Sequence, residues 1–177
     1  IVAAENDPSW AFGDNKLSEL GVSSIEFTAD VFKYACIACG ALAFVFGLGK
    51  AYCEDGCNSA SGIMCAVAGI FMALIGIYNA DYGNGNINET VTYLFFLFML
   101  IAACLSVKGD WNDGKRISGA IAAILVLVAL SCLVGKDIEF TEGVALICGL
   151  LWILSESVKM ILEIKESKDV KIDVETI

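Results

Sequence analysis

The chain has 177 residues, 58% of them hydrophobic, a formal net charge of −10 and a mean hydropathy of +0.74. That apolar share lies above the roughly 45–50% of soluble domains, and the length fits one compact bundle with no separate soluble domain. The acidic balance lacks the basic stripe that nucleic acid requires as a partner, and the absence of histidine removes the commonest general base and metal ligand.

Residues 1–30 form an acidic flank. Glu5, Asp7, Asp14, Glu19, Glu26 and Asp30 stand against Lys16 alone, which is −5 of the −10. Pro8, the sole proline, precedes Trp10 and Phe12, and apolar residues from Leu17 to Phe27 follow at mixed spacing, as in a segment lying on the membrane surface. Ser23 with Glu26 three positions later has the form of a capping box, which starts the first long helix near Ser24. The first residue is Ile1 rather than Met, as expected where a signal peptide has been removed and the N-terminus lies outside.

Five apolar stretches follow: Val31–Leu48, Gly62–Tyr78, Val91–Val107, Ile117–Val134 and Gly143–Leu154. Each approaches the ~20 residues that a helix needs to cross ~30 Å of hydrocarbon, the last by continuing past Glu156. The expected fold is all-α, a polytopic membrane protein with five transmembrane helices over 31–164. A charged tail, 165–177, continues the fifth helix into the cytosol.

If five spans alternate, Lys16, Lys33 and Lys136 collect on one side. Lys50, Lys108, Lys115, Arg116, Lys159, Lys165, Lys168 and Lys171 collect on the other. By the positive-inside rule the N-terminus is outside and the C-terminus cytoplasmic, in a plasma or bacterial inner membrane. Cys53 and Cys57, alone among the eight cysteines in lying in a loop, then face a reducing compartment. Two thiols without further ligands make no metal site.

Two stripes of small residues carry the packing signal. Cys36, Cys39, Gly40, Ala43 and Gly47 recur on one face of the first span, and Gly62, Cys65, Ala66, Gly69, Ala73 and Gly76 on one face of the second. In lipid, helices associate through such close backbone approach, either with one another or with a neighbouring subunit. The third span is bulky from Leu94 to Ile101, as suits a helix facing lipid, with Phe96 on that face. Tyr78, Tyr82 and Tyr93 at one boundary, and Tyr52 and Trp111 at the other, form aromatic belts.

The loop Lys50 to Asp55-Gly56 and the loop Lys108 to Asp113-Gly114 share the same spacing, and a Ser-Gly pair opens the next helix in both. The Asp-Gly pairs predict turns on the inner face, because glycine accepts positive φ. Duplication of a helical hairpin and convergence of two short inner loops both produce this pattern.

Chemistry is sparse. No phosphate loop or nucleophile elbow occurs, and no charged residue lies in the middle of a span, where proton relays and ion-coupled carriers place theirs. No catalytic residue, metal site or cofactor is expected, bound lipid aside.

The first hairpin, Cys36 to Gly49, Lys50 to Ser61 and Gly62 to Gly76, resembles the pilins of conjugation and type IV secretion systems. Those pilins have two spans rather than five, and here Glu54 and Asp55 outweigh Lys50 in the loop. The resemblance implies a self-assembling subunit, with lipid and copies of itself or other membrane subunits as partners, or an inner-membrane component of such a machine. The expected function is therefore a non-enzymatic membrane subunit; the alternative is a small channel or carrier.

Overall fold

The computed structural model describes residues 6–7, 9–11, 14–78, 86–133 and 138–175. A short 3-10 helix, Leu17–Val22, leads into five α-helices: α1 Glu26–Cys53, α2 Gly56–Ile77, α3 Asn86–Asn112, α4 Arg116–Leu133 and α5 Ile138–Glu175. The protein is all-α. Helices α1, α2 and α3, and the Phe140–Lys165 part of α5, are long and apolar enough to cross a membrane, while the apolar part of α4, Arg116–Cys132, is shorter. At 1.5 Å per residue α4 runs about 27 Å, close to the ~30 Å of a hydrocarbon core. Pro8, Phe12, Tyr82 and Lys136 lie outside the described residues.

α1 and α2 are antiparallel and meet backbone to backbone. A Cβ on Gly40 would stand 2.6 Å from the Ala73 nitrogen and 2.6 Å from the Gly69 oxygen, and one on Gly47 would stand 2.4 Å from the Ala66 nitrogen. Gly62 and Gly69 return the contact, 2.5 Å from the Ala51 nitrogen and 2.6 Å from the Phe44 nitrogen, and Gly76 lies against the Lys33 carbonyl. Cys36 and Cys65 are buried along this seam, whereas Cys39 is exposed. The reason is angular: at about 100° per residue, Gly40, Ala43 and Gly47 lie within about 40° of Cys36, and Cys39 falls about 60° to one side. The two stripes thus face each other within one chain.

α3 is the central helix. It packs on α2 and α4 and reaches α5, burying Val91, Phe95, Met99, Ala102 and Ser106, with Phe98 stacked on Phe71 of α2 at 5.5 Å. Phe96 is half-buried and lines the space between α3, α4 and α5, while Leu97 and Tyr93 are the exposed side chains beside it. An apolar side chain suits lipid and a bundle interior equally well, so bulk does not say which it meets. Ala122 and Trp152 complete the core from α4 and α5. Tyr52 and Trp111 are exposed near one end of the bundle and Tyr93 near the other.

Sequence and structure also differ at the helix ends. The N-cap of α1 is Ile25, with no side-chain cap. The Ser23 hydroxyl donates to Asp7 and accepts from the Ile25 N–H at 3.2 Å, so the Ser23–Glu26 box does not form. Ser61 and Ser118 lie inside α2 and α4 and point into the bundle rather than capping. Gly56 and Gly114 both adopt positive φ, +56° and +75°. At Gly114 the Lys115 N–H donates to the Asp110 carbonyl at 2.8 Å and the Gly114 N–H to the Trp111 carbonyl at 3.3 Å. That is the two-bond Schellman closure of a helix end.

Candidate functional site, a buried ionic cluster

Lys50 is the departure with the largest consequence. It was expected in the loop after the first span, but it is helical, within α1, and fully buried. It lies about 40° from Cys36 on the helical wheel, so it extends the same face that packs as the small-residue seam. Its neighbours supply what a buried ammonium requires. The Nζ donates to Glu156 of α5 and, at 3.3 Å, to the Ser106 hydroxyl of α3, and it stands 5.8 Å from the centre of the Trp152 ring.

Glu156, also fully buried, is shared. Lys159, one turn along α5, donates to it at 2.8 Å, and Ser118 of α4 donates to its other oxygen at 3.4 Å. Lys159 also reaches Asp110 of α3 at 2.8 Å and Glu54, just after α1, at 3.2 Å. The i,i+4 partner that spacing suggests for Lys159, Glu163, pairs instead with Lys115 at 2.7 Å. Asn58 of α2 donates to Asp110 at 3.2 Å and to Asp113 at 3.0 Å, its amide lying flat on Gly109, where a Cβ would be 2.5 Å from its Cγ. Every helix contributes a polar group to this one place.

The donor and acceptor count is unequal. Glu54, Asp110 and Glu156 bring three carboxylates to two ammonium groups, Lys50 and Lys159. Among the described residues, one oxygen each of Asp110 and Asn58 and both oxygens of Glu54 are buried without a hydrogen-bond donor, although one Glu54 oxygen stands 3.2 Å from the Lys159 ammonium. Buried charges are costly unless paired and hydrogen-bonded, and among the described residues the cluster holds one more carboxylate than it has ammonium groups. Among the described residues no group of three or more His, Cys, Asp or Glu side chains is placed to hold a metal ion.

The other residues singled out in the sequence are placed as follows. Lys108 is helical and exposed, inside α3 rather than in a loop, while Asp55 precedes α2 and Asp113 lies in the turn after α3. Cys53 and Cys57 are free thiols beside the cluster. Sequence reasoning missed the convergence because its members sit singly at the ends of different spans. The readable signal is that the buried faces end in polar residues. Asp110 follows Ser106 by four, and Glu156 follows Trp152 and Cys148 by four and eight.

No curated protein and no solved structure matches the chain. The family described as "Protein of unknown function (DUF998)" matches residues 1–158, which takes in every member of the ionic cluster except Lys159. With nearly nine-tenths of its length matched, the chain belongs to the DUF998 family.

Proposed function

We propose that this chain is a non-enzymatic integral membrane protein of the carrier type, with five spans, whose ionic cluster closes one side of the bundle and exchanges a proton as it opens. The buried cluster is the observation that carries this reading. Ionisable groups inside a membrane bundle are uncommon and tend to mark ion and proton paths. A bundle that only had to hold together would gain as much from apolar packing at these positions. Lys159 already has three acceptors within 3.2 Å, so a helix shift can pass it from one to another without leaving it bare. The surplus carboxylate offers a place for the proton.

The small-residue stripes, which supported a self-associating, pilin-like subunit, are occupied within the chain. That moves the carrier ahead of the subunit. The orientation we propose keeps the N-terminal flank outside: setting aside Lys50 and Lys159, whose charges are met within the bundle, three basic residues remain on one side and six (eight minus two) on the other.

Purified protein in vesicles loaded with a pH-sensitive dye tests the reading. Wild type is expected to dissipate an imposed pH gradient faster than empty vesicles, and Asp110→Asn or Glu156→Gln to alter that rate while the protein stays folded. No flux, together with discrete oligomers or filaments, would return the subunit to first place. Variants that lose stability alone would make the cluster an ionic staple.

A further inference from the structure

Between α3, α4 and α5 lies a cavity of about 220 Å³ that the ionic cluster does not use. Its walls are apolar, with Phe96 and Met99 from α3, Leu125 and Val126 from α4, and Ala145 and Cys148 from α5. Its two ends differ. At one, the cavity is bounded by Lys16 and Glu89, a half-exposed ion pair at 3.0 Å, with Asn88 and Glu142 beside them. At the other it is bounded by Trp152, 1% exposed, whose ring centre also lies 5.8 Å from the Lys50 ammonium.

We propose that this cavity holds one acyl chain of a bilayer lipid, its head at the Lys16–Glu89 mouth and its chain end on Trp152. The space is half open to the outside of the bundle, so a chain can enter it from the bilayer, and its apolar walls favour hydrocarbon, as those of a sealed aliphatic cavity of ~150 Å³ do. Its α5 wall, Thr141 to Trp152, runs about 16 Å and its α3 wall, Asn88 to Ala103, about 22 Å, against ~15 Å for half of the hydrocarbon core, which is room for one acyl chain and the start of its headgroup. A polar, charged mouth over an apolar shaft of that depth is the complement of a single amphiphile.

A second observation points to the same occupant. Thr92 lines the cavity, and its hydroxyl, occluded just behind the wall, has no hydrogen-bond partner. It stands one turn below Asn88, at the level where a lipid's ester carbonyl follows its headgroup, and a rotation of the side chain into the cavity would let it donate to that carbonyl. The Trp152 indole N–H is also unpartnered. An alkyl chain leaves it so, and the ring becomes a reporter of what lies against it. The inference does not rest on the cluster's acting as a seal.

The test uses the full chain with Trp10→Phe and Trp111→Phe, which leaves Trp152 as the sole tryptophan, in membranes of phosphatidylcholine with or without bromine on the acyl chains. Bromine quenches indole emission at contact. Trp152 is expected to be quenched although the protein buries it, and Ala145→Phe, which fills the shaft, should restore its emission. Emission equal in the two lipids, as when a helix from elsewhere fills the space, would overturn the proposal, and so would quenching that Ala145→Phe leaves unchanged. Native mass spectrometry from mild detergent gives a readout that does not depend on that variant. Wild type should retain one lipid and Ala129→Phe, on the α4 wall, none; a wild type that retains no lipid would also overturn it.

Discussion

Along the α1–α2 seam the backbones touch through Gly40, Gly47, Gly62 and Gly69. One turn further along α1, at Lys50, the contact passes to long charged side chains that reach α3 and α5. The seam involves no desolvation of charge and admits no alternative partner, because a backbone held at van der Waals distance can only stay or separate. The cluster desolvates five charges and gives Lys159 a choice of three carboxylates. A membrane bundle has no hydrophobic force between its helices, so rigid and exchangeable contacts must come from different chemistry. Here they come from glycine on one pair of helices and from ions where all five converge.

The largest effect should come from leaving one charge of the cluster uncompensated. Lys50→Met removes an ammonium from a fully buried Glu156, and breaking a buried pair costs about 3–5 kcal/mol. The lower end applies, because Lys159 still donates to Glu156. Lys50→Met combined with Glu156→Leu should recover most of that loss. Unfolding in mixed micelles measures both. A single variant with no loss would place the cluster among exposed ion pairs, worth ~0–1 kcal/mol, and the contrast with the seam would disappear.

The seam is tested by two glycines two residues apart. Gly47→Leu meets backbone at 2.4 Å and should destabilise by about 3 kcal/mol, the upper end of the overpacking range. Gly49 has nothing within 4 Å of a Cβ, and Gly49→Leu should leave the unfolding midpoint where it was. If Gly49→Leu proves as harmful, that face of α1 meets another copy of the chain, and the self-associating reading gains the free surface it lacks.

Between these extremes lie single hydroxyls. Ser61 of α2 donates to the Ala102 carbonyl of α3 at 2.7 Å, both groups buried. Interhelical hydrogen bonds in membranes average about 0.6 kcal/mol, so Ser61→Ala should cost about that in the same unfolding measurement. A loss of several kcal/mol would mean that the Ser61 bond is coupled to the ionic cluster nearby on α3.

How much was legible divides along the same line. Helical periodicity carries the seam, since small residues three and four apart can be seen without knowing what they meet. Hydropathy carries the spans, although it ends the first one at Leu48, two residues before the buried Lys50. A lysine at a span end reads as a loop or snorkelling residue, because a sequence shows its charge and not the glutamate 106 positions later that neutralises it. The same limit hid the setting of Phe96, whose side chain says nothing about whether it borders lipid or a cavity. Lys50 could have been found by continuing the stripe from Gly47 and asking why a charge lies on a packing face.

The smallest effect belongs to a single carboxylate of the N-terminal flank, Asp7. There the Ser23 hydroxyl, with the hydroxyl and N–H of Ser9, donates to Asp7 and holds its carboxyl below the usual carboxylate range. A carboxylate with a depressed folded value contributes in full above its unfolded value of ~3.9, and the contribution is lost as pH falls through the lower folded value. The flank should therefore be indifferent to pH from neutral down to about 4 and loosen below it. Trp10 reports this directly, because its backbone N–H donates to the Asp7 carbonyl and its indole N–H to the Lys16 carbonyl, each at 3.1 Å. In a Trp111→Phe, Trp152→Phe background its emission should shift to the red in acid, and Asp7→Asn should produce that shift at neutral pH. A shift centred above pH 5 would instead assign the change to another group.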